Sequence, residues 1–187
     1  MSIRRRIFLL IFLPLILGLW YLTSWMSDDL KPRYLESMEE TLIDTSHVLA
    51  DQLGAHWDGQ SEVPTPFHDA VAATLGRPIN ALVYDLKKEN VDLQLYATDT
   101  NGIVRFDSNN GEAIGEDYSQ WNDVVRTLRG EYGARASRDD PDNPNSLRLF
   151  VAAPVFHKDQ RVGVLTVSNA ARTSDPFVSA AKRKLLV

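Results

Sequence analysis

The sequence predicts an α+β fold: an N-terminal transmembrane helix and a long helix, then an antiparallel sheet flanked by helices, with an exit helix at the C-terminus. Three observations predict it. Residues 7–26 carry no charged side chain. Between Pro32 and His56 the apolar residues recur at a helical period. Beyond Pro78 the period falls to two and turn residues return at short intervals, the pattern of hairpins.

Ile7 to Met26 is 20 residues long. A helix of that length covers roughly 30 Å, the hydrocarbon thickness of a bilayer. Pro14 and Gly18 lie inside it, and spanning helices tolerate both. Trp20, Tyr21 and Trp25 gather at the far end, where amphipathic rings favour the headgroup zone. Arg4, Arg5 and Arg6 precede the run, and all 25 acidic residues follow it. That asymmetry keeps the N-terminus in the cytoplasm and exports the rest. A cleaved signal peptide would carry a shorter apolar region and a small-residue cleavage site. No Ala-x-Ala occurs near residue 26, and two tryptophans stand where small residues would be needed. Two parts follow: 1–26, an Arg cluster with a membrane anchor, and 27–187, an exported domain.

The exported part holds 17 basic and 25 acidic residues, a charge of −8 against −5 for the whole chain. Such an acidic surface argues against a nucleic-acid partner. The chain has no Cys, which excludes a disulfide scaffold, a Cys-ligated zinc site and a thiol nucleophile. It also suits an oxidising periplasm.

In the long helix Leu35, Met38, Leu42, Ser46, Leu49 and Leu53 form one face, and Pro32 suits its first turn or a joint with the anchor. Leu35, Leu42 and Leu49 also repeat every seven residues. The face can lie on its own domain or add a contact with a second copy, giving a homodimer. Residues 57–66 read as a loop and Phe67 to Leu75 as a short helix ended by Gly76 and Pro78. Asn80 to Leu86 reads as a strand. Asp92 to Thr98 and Ile103 to Phe106 form a hairpin across Asp99-Thr100-Asn101-Gly102. Residues 107–119 are a connection. Trp121 to Arg129 is a helix with Gly130 as its cap. Tyr132 to Ser137 is a strand, and residues 139–146 a solvated loop. Leu147 to His157 and Arg161 to Ser168 make a second hairpin, with Pro154 at a bulge or an edge. Asp175 and Pro176 open a final helix. It runs into Lys182-Arg183-Lys184 and Leu185-Leu186-Val187, the approach to a second span before which the chain stops.

No nucleotide-binding glycine loop, His-Glu-x-x-His or Gly-x-Ser-x-Gly is present. His47, His56, His68 and His157 have no metal-ligand spacing, and the acidic pairs have no nucleophile beside them. No catalytic or metal site is expected. One segment, 117–135, gathers aromatic residues and three arginines in an otherwise acidic chain. Tyr118, Trp121, Arg126, Tyr132 and Arg135 are candidate ligand-binding residues. Aromatic rings can wall a pocket, and Arg offers paired donors to a carboxylate or phosphate. The same residues would serve equally as core aromatics and surface arginines.

The turn Asp99 to Gly102, Phe106-Asp107-Ser108, Gly115, Val151-Ala152-Ala153-Pro154-Val155 and Gly163-Val164-Leu165 resemble the PAS-like or Cache sensor domains of bacterial receptors. Thr41 to Thr45, Asp117-Tyr118-Ser119, Trp121 to Val124, Thr127 to Gly130 and Tyr132 to Ala136 resemble the input region of CreC-type two-component sensor histidine kinases. The sequence departs at Ser168-Asn169, where that family carries Lys-Pro. The resemblance implies a periplasmic sensory domain in the bacterial inner membrane that detects a metabolic or small-molecule signal. It implies a parent with a second span, a dimerising segment and an ATP-binding kinase region acting on a cognate response regulator. No cofactor is implied in this chain, which is no enzyme by itself. The alternative is a membrane-anchored periplasmic protein-interaction module without a small-molecule ligand.

Overall fold

The structure is a computed structural model that describes residues 3–83, 86–143 and 146–171, except the side chains at 4, 6, 7, 9, 23–34, 83 and 86. The expected exit helix, basic cluster and apolar triplet lie outside the described residues. The chain divides into two compact units, 1–38 and 39–187.

The first unit belongs to α1, Ile3–Gly54, which stays helical through Pro32. No joint is assigned there; the missing Pro N–H removes one intrahelical bond. Phe8 and Phe12, four apart and so on one face, stack with centroids 4.1 Å apart. Leu10, Ile16, Trp20 and Tyr21 each expose more than half their surface. Among the described residues no helix is long and apolar enough to cross a membrane.

The second unit is an α+β domain. It contains the end of α1, then α2 (Thr65–Leu75), β1 (Ala81–Val83), β2 (Leu86–Lys88), β3 (Leu93–Asp99), β4 (Val104–Asp107), α3 (Asn122–Arg129), β5 (Gly133–Arg138), β6 (Leu147–His157) and β7 (Gln160–Ala170). β1 and β2 form a separate two-stranded ribbon. The other five make one sheet in the order β4-β3-β7-β6-β5, antiparallel throughout.

Turn chemistry sets the hairpins. Asp99 Oδ1 accepts the backbone N–H of Asn101 at 2.8 Å and of Ile103 at 3.0 Å. Its Oδ2 accepts from Arg105 Nε and Nη2 at 2.9 and 2.7 Å. Gly102 takes φ 83°, a conformation costly for residues with a Cβ. The β6–β7 turn is tighter than the expected three residues. Lys158 and Asp159 both have positive φ, and His157 pairs directly with Gln160. Two left-handed residues match the twist of the flanking strands. Pro154 lies at a local edge of the sheet, close to a bulge. It lies two residues past the last β5 pair, Gly133↔Ala152, and the register shifts between Val155 and Phe156.

Leu42, Ala50 and Leu53 of α1 and Val71 of α2 are buried. Gly54 lies so close to the Phe156 carbonyl that a Cβ would collide with it. Leu49 joins Phe67, Val71, Leu93 and Leu95 around a small apolar cavity. Leu42, Leu49 and Leu53 thus lie on their own domain. The exposed side of α1 there is mostly polar, with Glu40, Asp44, His47 and Asp51. Every residue of β3 from Leu95 to Asp99 is buried. Ala97 pairs with Phe106, whose ring meets Phe67 of α2, while Tyr96 on the other face meets Val124 of α3.

The loop after α1 is held by Asp58. Its Oδ1 accepts from the N–H of Gln60 (3.0 Å) and Ser61 (2.9 Å) and from Ser61 Oγ (2.7 Å). These donors favour the carboxylate and lower its pKa from 3.8 to about 2. The stabilisation is present above pH 3.8 and is lost as the pH falls through about 2. In acid titrations followed by circular dichroism, Asp58→Asn is expected to flatten the stability loss across that window.

Candidate functional site: a cavity between the sheet and the loop before α3

Strand register builds the site floor. Arg135, Phe150, Ser168 and Gln94 are successive partners across β5, β6, β7 and β3. The next row on that face is Gly133, Ala152, Thr166, Tyr96 and Asp107. Gly133 allows α3 to approach: a Cβ there would strike Thr127 Oγ1 and the Asp123 carbonyl. Gly130, at φ 85°, ends α3, and its N–H donates to Thr127 O at 3.0 Å.

That approach drives Asp123 into the interior, where it is fully buried. Its Oδ1 accepts from Arg135 Nε at 2.9 Å. Its Oδ2 accepts from the Tyr96 hydroxyl and from Thr166 Oγ1, the latter at 3.3 Å. The Arg135 guanidinium lies 4.0 Å from the Trp121 ring centre and 3.8 Å from that of Phe150. Tyr118 stacks on Trp121 with centroids 3.6 Å apart at 14°. The stack therefore runs Tyr118, Trp121, Arg135, Phe150. Tyr96 stands nearly perpendicular to Tyr118 and Trp121.

Burial, then the Asp123 charge, raises the Tyr96 pKa well above 10. The native state holds that proton more tightly than the unfolded chain. Its stabilisation is complete below pH 10 and declines as the pH rises from there towards the native value. Urea midpoints measured from pH 9 to 11 are expected to fall more steeply for the native chain than for Tyr96→Phe.

Above the floor lies a cavity of about 440 Å³. Gln94, Tyr96, Arg135, Phe150 and Ser168 form its sheet side; Asp107, Asn109, Glu112, Glu116 and Tyr118 border the loop side. Three of the five sequence candidates, Tyr118, Trp121 and Arg135, come together here. Arg126 and Tyr132 do not. Arg126 Nε pairs with Glu131 at 3.4 Å on the surface. Tyr132 is 45% exposed, and its hydroxyl donates to Glu39. Arg126 is exposed on α3, and Tyr132 precedes the first β5 residue.

Sequence reasoning missed Tyr96, Phe150 and the three loop-side acids. Strand parity offered a signal for Tyr96, because it alternates with Leu95 on β3. Phe150 needed the β5–β6 register, which no local pattern contains. Among the described residues no cluster of three or more His, Asp or Glu is placed to hold a metal.

The fold is similar to that of a solved sensor domain. The histidine kinase DctB sensor domain of V. cholerae superposes with TM-score 0.56 at 13% identity, covering 81% of this chain and 56% of that one. The E. coli DcuS sensor domain matches with TM-score 0.44 at 15% identity, over 83% of this chain and 99% of its own. By sequence the chain is a relative of the sensor protein CreC of Escherichia coli strain K12. The two are 36% identical over 190 residues, covering 100% of this chain. The chain spans 39% of that protein's length. No protein-family profile matches.

Proposed function

We propose that residues 27–187 are the extracytoplasmic input domain of a two-component sensor histidine kinase and that its cavity takes a small-molecule signal. The similarity to a sensor protein along all of this chain carries this reading. In it, residues 7–26 anchor the chain in the inner membrane with the N-terminus in the cytoplasm. A kinase region outside this sequence uses ATP and passes phosphate to a response regulator. The working unit is a homodimer.

A ligand acts only through its different affinity for two states of the receptor. The cavity offers a place for that difference, because its floor crosses four strands and its wall belongs to the segment leading into α3. The test uses the full-length receptor with a transcriptional reporter of its regulator. Trp121→Ala is expected to blunt the response to inducing growth conditions at normal receptor abundance. An unchanged response in a folded variant would argue for the protein-interaction alternative.

A further inference from the structure

We propose that the cavity prefers an organic cation, a ligand bearing an ammonium group, over an anion of the same size. This rests on the cavity being the ligand site proposed above and adds the ligand's chemical class.

The balance of charge at the walls carries the inference. Three carboxylates line the loop side: Asp107, Glu112 and Glu116. Asp107 is nine-tenths buried, and its two oxygens accept only backbone N–H groups, of Asn109 at 3.0 Å and Ala113 at 3.1 Å. Dipoles hold its charge, and among the described residues no cation pairs with it. Glu112 Oε2 accepts from Asn109 Nδ2 at 3.0 Å, which leaves Oε1 open. Among the described residues, Glu116 has no ion pair or hydrogen bond on its carboxylate.

Arg135 is the one basic side chain at the described lining, and it is already engaged. Nε is held by buried Asp123, and Trp121 and Phe150 cover its two faces. Its Nη2 is sealed from solvent without a hydrogen-bond partner. An arriving anion would meet three carboxylates that have no cationic partner among the described residues and a guanidinium whose charge is matched. An arriving ammonium meets open carboxylate oxygens, and the Tyr118–Trp121 stack beside them offers aromatic surface that attracts cations. The Tyr118 hydroxyl reports the same field. Its pKa is raised by burial first, then by Asp107 and Glu116.

Three four-carbon probes differ chiefly in charge: 1,4-diammoniobutane, 1,4-butanediol and succinate. Calorimetric titration of the 187-residue chain at low salt is expected to show binding of the diammonium probe and none of succinate. Glu116→Gln should weaken that binding about tenfold, as the loss of a charge-assisted contact does. Ser168→Trp, which fills the cavity floor, should abolish it; Ser137→Trp serves if that variant misfolds. Succinate bound more tightly than the diammonium probe, and lost in the filled variant, would overturn the cation preference but leave the cavity as the ligand site. Diammonium binding that survives the filled cavity would overturn the proposal by placing the cation elsewhere. Absence of binding by all three probes would also overturn it, and the Trp121→Ala reporter result would then decide the site separately.

Discussion

Asp123→Ala is expected to destabilise the domain by about 3–5 kcal/mol, the cost of leaving a buried partner charge alone. The carboxylate is fully buried and receives Arg135, Tyr96 and Thr166. Its removal leaves the guanidinium between Trp121 and Phe150 without its ion-pair partner. A whole domain is stable by only about 5–15 kcal/mol, so this is a large fraction. Urea denaturation should show a lower midpoint with an unchanged slope. Asp123→Ala combined with Arg135→Met should be less damaging than Asp123→Ala alone, since the orphaned charge goes too. A double variant no more stable than the single one would show that Arg135 does not depend on Asp123.

Trp57→Ala is expected to cost about 3–5 kcal/mol, the range for truncating a large buried aromatic. The side chain is fully buried just after α1. Its ring lies so close to Gly163 of β7 that a Cβ there would come within 3.0 Å of it. Its Nε1 donates to Ser61 O at 2.9 Å. The substitution removes the ring from between loop and sheet and frees the Ser61 carbonyl. Thermal unfolding should show the loss. Trp57→Phe should recover most of the packing but not the hydrogen bond. Equal effects from Ala and Phe would mean that the hydrogen bond, not the ring volume, matters.

What could be read from the sequence was local. The Asp99–Gly102 turn, the Gly130 cap and the leucine face of α1 each depend on neighbours within about one or two turns. Their residue types state the backbone need directly. The cavity depends on distant pairings. Arg135 looks like Arg126 or Arg129 until β5 is registered against β6 and placed opposite Phe150. Asp123 reads as an ordinary acid at the start of a helix. Its burial comes from Gly133, ten residues on, whose missing side chain lets α3 settle against the sheet. The tighter β6–β7 turn was obscured because Lys and Asp seldom announce positive φ as Asn-Gly does. The separate β1–β2 ribbon shows no long apolar alternation to distinguish it from a strand of the main sheet.

The position of β7 places the floor near a strand end. It is the middle strand of five, with β3 on one side and β6 on the other. Ser168 lies in the floor row between Phe150 and Gln94, and β7 ends at Ala170. Two residues of extended chain span roughly 7 Å. A ligand seated between Phe150 and Gln94 would therefore lie against the last paired residues of β7. The floor of the cavity and the end of its central strand are two residues apart.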